Sequence, residues 1–114
     1  MNKHHHINYI ELQAEDLEAV KKFYSATFGW KFTDYGPDYA AFNDGTLDGG
    51  FERGKAKKGS AVLVIVYSEN LEATLKNIKK NGGAITKQVY SFPGGRRFHF
   101  ADPAHNELAV WSEK

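Results

Sequence analysis

The most constraining feature of this sequence is an internal repeat. The segment "AEDLEAVKKFYSATFGWKFT" at residues 14 to 33 has the same pattern as "SENLEATLKNIKKNGGAITK" at residues 68 to 87. Self-similarity at a fixed spacing indicates repeated copies of one supersecondary unit. A shift of 54 positions places six residues of the first segment on identical residues of the second: Glu15 on Glu69, Leu17 on Leu71, Glu18 on Glu72, Ala19 on Ala73, Lys22 on Lys76 and Gly29 on Gly83.

Each repeat predicts one amphipathic helix. Asp16 and Asn70 are good N-cap residues because their side chains can accept a hydrogen bond from a free amide of the first turn. Gly29 and the pair Gly82-Gly83 are typical helix stops. Residues at helical spacing then form one apolar stripe in each repeat: Leu17, Val20, Phe23, Tyr24 and Thr27 in the first, and Leu71, Leu75 and Ile78 in the second.

Strand-like segments surround both helices and are separated by turn sequences rich in Gly, Pro, Asn and Asp. Each half therefore reads as a βαβββ module, with module one at residues 7–53, a Gly- and Lys-rich linker at 54–60 and module two at 61–112. We expect a single domain over residues 1–114. The predicted strands are 7–12, 30–35, 39–43 and 49–53 in module one, and 61–67, 84–90, 97–101 and 107–111 in module two.

Composition excludes several classes of function. Fifteen Lys and Arg residues nearly balance fourteen Asp and Glu residues, so no strong field exists to attract nucleic acid or an anionic membrane. The absence of cysteine excludes disulfides, a thiolate nucleophile and Cys-ligated metal sites. The longest apolar run, "AVLVIVY" at 61 to 67, is far shorter than the roughly 20 residues of a membrane span. No secretory signal precedes the first strand, and we predict a cytoplasmic protein.

Three consecutive histidines, His4 to His6, lie at the N-terminus. Neighbouring side chains of an extended strand point to opposite faces, so these three imidazoles cannot all face one metal ion there. We interpret the run as a frayed end or a tag remnant. Only His6, which is closest to the first strand, is retained as a candidate ligand.

The duplicated modules, with "EDLEAVKKFYSATFGW" in the first and "NGGAITK" followed by "FPGGRRFHFADPAHNELAVW" in the second, resemble the vicinal oxygen chelate superfamily. This superfamily includes glyoxalase I, extradiol dioxygenases and bleomycin-resistance proteins, and the chain is most similar to the bacterial group related to lactoylglutathione lyase. The resemblance implies an α+β fold in which two tandem βαβββ modules form curled mixed sheets around a cavity, with the helices outside. It also implies a homodimer.

The resemblance further implies a metal ligand on the first and the fourth strand of each module. Counting from Asp16, the first-strand position of module one is Tyr9, and its repeat 54 residues later is Leu63. The fourth-strand position of module two is Ala109, six residues after Pro103, and we assign Glu52 as its counterpart in module one. Leucine and alanine cannot bind a cation and neutral tyrosine is a poor ligand, so we expect no metal cofactor.

Strand alternation predicts which side chains face the cavity. Phe98 and Phe100 are natural core residues, which turns Arg97 and His99 to the other face. The predicted cavity lining is Tyr9, Glu11, Glu52, Leu63, Arg97, His99, Glu107 and Trp111. Such a lining can bind a small organic molecule through its charges and aromatic rings, and His99 is the candidate catalytic group for proton transfer.

Other interpretations of the same residues stay open. Arg97 and the glutamates form cross-strand ion pairs in one alternative, and His99 is a structural histidine. Trp111 then packs in a dimer interface. A displaced divalent metal site is a further alternative, in which Glu52 and His99 are the candidate ligands, together with Glu11 and Glu107.

The segment "ADPAHNE" at 101 to 107 predicts a turn outside this site. Asp102 and Asn106 can bond to nearby backbone, and His105 is expected to be exposed with a positive φ. Three functions remain: metal-independent binding of a small molecule, a metal-dependent lyase, isomerase or dioxygenase with a rearranged site, and an interaction module whose dimer interface is the functional element.

Overall fold

A computed structural model describes residues 2–5, 7–56 and 62–114 of the chain. His6 and the linker residues 57–60 lie outside the described residues, and His4 and His5 are exposed before the first strand. The order of the elements is β1 (Tyr9–Ala14), α1 (Leu17–Phe28), β2 (Lys31–Asp34), β3 (Tyr39–Asn43), β4 (Asp48–Arg53), β5 (Val64–Tyr67), α2 (Leu71–Lys80), β6 (Ala84–Phe92), β7 (Gly95–Ala101) and β8 (Glu107–Ser112).

The predicted caps define both helices. The Asp16 and Asn70 side chains accept hydrogen bonds of 3.1 Å from the amides of Ala19 and Ala73. Helix α1 ends at Gly29, whose φ of 75° is the left-handed conformation that glycine adopts without a Cβ clash. The two helices therefore begin and end where the local sequence rules place them.

Two four-stranded mixed sheets confirm the predicted βαβββ modules. Their strand orders are β1-β4-β3-β2 and β5-β8-β7-β6, and neither sheet is closed. In each sheet the first strand of the module pairs parallel with the fourth, while the other pairings are antiparallel. The first strand of each module thus lies at a sheet edge, with the fourth strand beside it.

One hydrophobic cluster spans both modules. Val20, Phe23 and Tyr24 of α1 pack with Phe51 of module one, and Phe23 also lies 6.0 Å from Phe100 of module two between ring centroids. The predicted core residues Phe98 and Phe100 are fully buried, as are Leu108 and Val110. The helices cover one face of the sheets, so the opposite face of each sheet is free for polar residues.

A buried hydrogen bond connects α1 to the turn between β7 and β8. The Tyr24 hydroxyl donates to Asp102 Oδ2 at 2.8 Å, and both side chains are buried. Burial raises the pKa of Asp102, although hydrogen bonds from Tyr24, Asn106 and backbone amides oppose the shift. Burial next to this carboxylate also raises the pKa of Tyr24 well above its ordinary value. The same turn contacts β1, because the Asn106 side chain donates to the Gln13 carbonyl at 2.8 Å.

The predicted turn at "ADPAHNE" is confirmed. Asp102 Oδ1 accepts from the amides of Ala104 and Asn106 at 2.8 and 2.9 Å. His105 is exposed and has a φ of 71°. Within the described parts of the chain, no helix has the length and apolar character needed to cross a membrane.

The Tyr24→Phe substitution tests the bond between the modules. It removes one donor to a buried carboxylate and keeps the ring, so we expect a loss of about 1–3 kcal/mol in the free energy of unfolding at pH 7. The loss should shrink at pH values where Asp102 is protonated in the folded state, because a neutral carboxyl group needs fewer donors. Urea denaturation at several pH values measures both effects.

Tyr35→Phe is the matched control, because the Tyr35 side chain is 66% exposed and its hydroxyl has no hydrogen bond to the described residues. Its unfolding free energy should stay within about 0.5 kcal/mol of the unmodified protein. Equal stability of Tyr24→Phe and Tyr35→Phe would show that the buried bond contributes nothing.

Candidate functional site

The face of the first sheet that points away from the helices is called the module-one face. Strand register places its side chains in rows, because directly paired residues share a face. Tyr9, Asp48, Asn43 and Lys31 form the first row across β1, β4, β3 and β2, while Glu11, Gly50, Ala41 and Thr33 form the second. Gln13, Glu52 and Tyr39 form the third row.

Two tyrosines and a glutamate form a chain of hydrogen bonds on this face. The Tyr39 hydroxyl donates to Glu11 Oε1 at 2.9 Å, and the hydroxyl oxygens of Tyr9 and Tyr39 are 2.5 Å apart. Because Tyr39 uses its only hydroxyl hydrogen for the carboxylate, Tyr9 is the donor in the second bond. Burial, the bond with Tyr9 and the bond with Glu11 together raise the pKa of Tyr39.

Gly50 lies directly beneath the tyrosine pair. A Cβ atom added at Gly50 would lie 2.3 Å from the Tyr39 hydroxyl oxygen and 2.6 Å from that of Tyr9. The small second row therefore leaves space for the two phenols. Beside them opens a cleft of about 460 Å³, lined by Tyr9, Lys31, Thr33, Tyr35, Tyr39, Ala41, Phe42, Asn43, Asp48 and Gly49.

The corresponding face of the second sheet, the module-two face, contains a longer chain of hydrogen bonds. His99 Nδ1 lies 2.8 Å from Glu107 Oε2, and His99 Nε2 lies 3.2 Å from the Tyr90 hydroxyl. Arg97 Nε donates to the same hydroxyl. A carboxylate only accepts, so Glu107 assigns the hydrogen of a neutral His99 to Nδ1, and Tyr90 then donates to Nε2. In each bond of this chain the donor is therefore on the Arg97 side and the acceptor is on the Glu107 side.

Two cations converge on the ring of Tyr90. Lys87 Nζ lies 4.6 Å from the ring centroid, and Arg97 Cζ lies 5.5 Å from it. Arg97 Cζ is also 5.9 Å from the Phe92 ring. Within the described residues, neither Lys87 nor Arg97 has an acidic partner.

Aromatic side chains extend this face beside Arg97. Trp111 pairs with Arg97 in the register of β7 and β8. Its ring centroid lies 5.1 Å from that of Tyr67 and 6.3 Å from that of Phe92. The module-two face therefore combines two unpaired cations with a wall of aromatic rings.

Residues 6–110 match the family model described as "Glyoxalase/Bleomycin resistance protein/Dioxygenase superfamily". The chain belongs to this superfamily. A glyoxylase-like domain-containing protein from Didymella fabae is 31% identical to this superfamily member over 102 residues, covering 77% of each chain.

Solved structures show the same fold at low sequence identity. A glyoxalase/bleomycin resistance protein/dioxygenase family enzyme from Burkholderia phytofirmans superimposes with a TM-score of 0.82 at 15% identity, covering 94% of this chain and 98% of that one. A variant of the fosfomycin resistance protein FosX from Listeria monocytogenes, complexed with Mn(II) and 1S,2S-dihydroxypropylphosphonic acid, has a TM-score of 0.81 at 17% identity. That alignment covers 94% of this chain and 89% of FosX.

The eight residues predicted to line one cavity lie in two separate groups in this glyoxalase-superfamily chain. Leu63 directly precedes β5 of the second sheet, whereas Tyr9, Glu11 and Glu52 are on the module-one face. No hydrogen bond, ion pair or ring contact among the described residues joins them to the second group, which consists of Arg97, His99, Glu107 and Trp111 on the module-two face.

Tyr39 and Tyr90 were not among the predicted site residues. Tyr39 is the first residue of β3. The pairing of β3 with β4, the strand that contains Gly50, would have placed Tyr39 near Glu11. Tyr90 follows register irregularities between Ile85 and Lys87 and between Lys87 and Tyr90, where simple alternation of faces fails. The sequence alone therefore did not assign a face to Tyr90.

The register corrects one predicted correspondence between the modules. Ile10 and Val64 are repeats of each other, and they pair with Gly49 and Leu108. The module-one counterpart of Ala109 is therefore Gly50, and the assignment to Glu52 was wrong by two residues. Glu52 corresponds to Trp111 instead.

The donor set at the superfamily's metal positions does not fit a metal ion. With Gly50 in place of Glu52, the four positions contain tyrosine, glycine, leucine and alanine. Among the described residues, no group of three or more His, Cys, Asp or Glu side chains is placed to hold a metal ion. We therefore derive no chemistry through a metal at these positions.

The Gly50→Ala substitution tests how the tyrosine pair is accommodated. The added methyl group would overlap both hydroxyl oxygens, so the phenols must move, which disturbs the bond between them and the bond from Tyr39 to Glu11. We expect a loss of about 1–3 kcal/mol in the free energy of unfolding, measured by denaturation. Amide resonances of β1 and β3 should shift in the same variant.

Gly54→Ala is the control, because its added Cβ meets only the Gln13 side chain at 3.6 Å, an ordinary contact distance. It should unfold with nearly unchanged free energy. If Gly50→Ala left both the stability and the β1 and β3 resonances unchanged, the close fit of the tyrosines over Gly50 would be disproved.

Proposed function

We propose that the module-two face binds a small organic acid without the help of a metal ion. The observation that carries this proposal is the convergence of Lys87 and Arg97 on the Tyr90 ring, with no acidic partner for either cation in the part of the chain that the structure describes. Unpaired cations beside aromatic rings attract an anion that also has an apolar body.

The guanidinium group of Arg97 is held in a defined orientation. Its Nε donates to the Tyr90 hydroxyl. That hydroxyl donates to His99, and His99 in turn donates to Glu107. The two terminal nitrogens have no hydrogen bond to the described residues, so their N–H groups are available to a ligand. A planar pair of N–H donors matches a carboxylate in a bidentate pair.

The apolar part of the ligand is expected to contact Phe92 and Trp111. Both rings are partly exposed and lie beside Arg97 on the same face. An aromatic carboxylate satisfies the cationic and the aromatic features together. The FosX neighbour is described with a phosphonic acid, which is also an organic anion.

His99 has a positioning role in this proposal. It is only 8% exposed, and its two ring nitrogens are used by Glu107 and Tyr90. It therefore supports Tyr90 and Arg97 and remains the candidate group for proton transfer, in which it would accept a proton from a bound ligand through Tyr90.

The Arg97→Gln substitution tests the anion site, with phenylacetate as the probe and calorimetry or NMR titration as the measurement. Loss of a charge-assisted bidentate pair should weaken binding about 10- to 100-fold. Arg97→Lys keeps the charge but not the planar fork and should give an intermediate loss.

Arg96→Gln is a matched control, because it changes the net charge equally at the neighbouring position. Arg96 is instead bonded to Glu72 at 2.6 Å and to the Lys114 carbonyl. It should change phenylacetate affinity less than twofold. Equal losses in the two variants would leave only a non-specific charge effect and would refute the site.

The alternative function, a metal-dependent lyase, isomerase or dioxygenase with a rearranged site, is distinguished in the same titration. Metal-independent binding predicts the same phenylacetate affinity in EDTA and in Mn²⁺. Affinity that requires Mn²⁺, together with heat from binding of Mn²⁺ alone, would favour the alternative.

We also propose that the protein is a homodimer, as its superfamily resemblance implies. Large apolar side chains on or next to the edge strands are exposed: Ile7, which precedes β1, at 83%, and Ile65 of β5 at 44%. Sedimentation equilibrium should give twice the chain mass of 12.8 kDa. A single species at the chain mass across the concentration range would contradict this proposal.

A further inference from the structure

The module-one cleft has room for a ligand because its second row is small. Ala41 and Gly50 form the middle of this row, between the larger side chains of the rows on either side. In the module-two face, His99 takes the position that corresponds to Ala41. The volume of about 460 Å³ lies within the range of roughly 300–1,000 Å³ typical of small-molecule sites.

Hydrogen-bond direction gives this cleft a defined polarity. Tyr39 donates to Glu11, and Tyr9 consequently donates to Tyr39. The Tyr9 oxygen has then used its only hydrogen and presents just its lone pairs to the cleft. The raised pKa of Tyr39 keeps its phenol protonated at neutral pH, so this direction is maintained.

One carboxylate, Asp48, lines the Tyr9 end of the cleft, and a second, Glu11, is bonded to Tyr39 next to it. Asp48 pairs with Tyr9 in the register, and its Oδ1 accepts from the Asn43 side chain at 2.8 Å. Asp48 Oδ2 has no hydrogen bond to the described residues, and neither has Glu11 Oε2. Lys31 also lines the cleft, but at its opposite side on β2, where its backbone is three strand spacings or about 14 Å from that of Tyr9.

We propose that this cleft is a second binding site, selective for an ammonium or amine group attached to an apolar body. The N–H groups of the ligand donate to the Tyr9 oxygen and to Asp48 Oδ2, and its positive charge lies near the phenol rings. The remaining part of the ligand extends over Ala41 towards Tyr35. This chemistry is opposite to that of the organic-acid site on the module-two face.

The test is an NMR titration of the intact protein with 2-phenylethylammonium. Amide resonances of β1, β3 and β4 should shift in a saturable way. Tyr9→Phe removes the acceptor oxygen and should weaken binding about fivefold or more. Asp48→Asn removes the negative charge of the second acceptor and should weaken binding by a comparable factor. It is an independent variant of the same test.

Tyr67→Phe is the matched control. Tyr67 has nearly the same exposure as Tyr9, and its hydroxyl donates to Glu113 at 2.8 Å, as the Tyr9 hydroxyl donates to Tyr39. The control should bind 2-phenylethylammonium as the unmodified protein does. In each of the three variants, unchanged amide resonances outside the substituted strand show that the fold is retained.

The quaternary analogue N,N,N-trimethyl-2-phenylethylammonium separates hydrogen bonding from simple charge attraction, because it keeps the charge but has no N–H group. We expect it to bind at least fivefold more weakly. Equal binding of the two ions, or unchanged affinity in Tyr9→Phe, would overturn the proposal. Arg97→Gln should bind 2-phenylethylammonium normally while losing phenylacetate, so the two sites can fail separately.

Discussion

The buried hydrogen bond between Tyr24 and Asp102 is the interaction on which the arrangement of the modules depends. It connects the first helix to a turn 78 residues later in the chain. The carboxylate of Asp102 also accepts from the amides of its own turn, and Asn106 of that turn bonds to β1. A charge is costly to bury unless several donors satisfy it, so these partners hold one geometry. Helix α1 is thereby fixed against the turn between β7 and β8, and this turn is fixed against β1.

The two sheets have the same topology but different chemistry on their polar faces. In module one the second row is small, which lets two phenols lie over Gly50 and leaves a cleft beside them. In module two the corresponding row contains His99, and the face is filled by a chain of hydrogen bonds that positions Arg97. The two modules therefore share the pairing of their strands, and different residues at a few outward-facing positions give one acceptor-rich face and one cationic face.

The glyoxalase superfamily scaffold does not by itself determine a metal centre. Its function depends on side chains at a few strand positions. In this chain the fourth-strand positions are Gly50 and Ala109, neither of which has a donor atom in its side chain. Tyrosine hydroxyls take the space above Gly50, and His99 pairs directly with Ala109. Both modules therefore have a small residue at this position, beneath a hydrogen-bonded side chain of a neighbouring strand.

The sequence by itself determined the local elements of this protein. Helix caps at Asp16 and Asn70, the stop at Gly29, the duplicated module and the buried phenylalanines all follow from interactions within a few residues or from simple periodicity. Only the tertiary structure decided which polar residues meet. Tyr39 bonds to Glu11 across 28 residues, Tyr90 reaches His99 after a break in register, and Gly50 rather than Glu52 corresponds to Ala109. Strand register and bulges depend on packing between distant segments, and a shift of one residue moves a side chain to the opposite face.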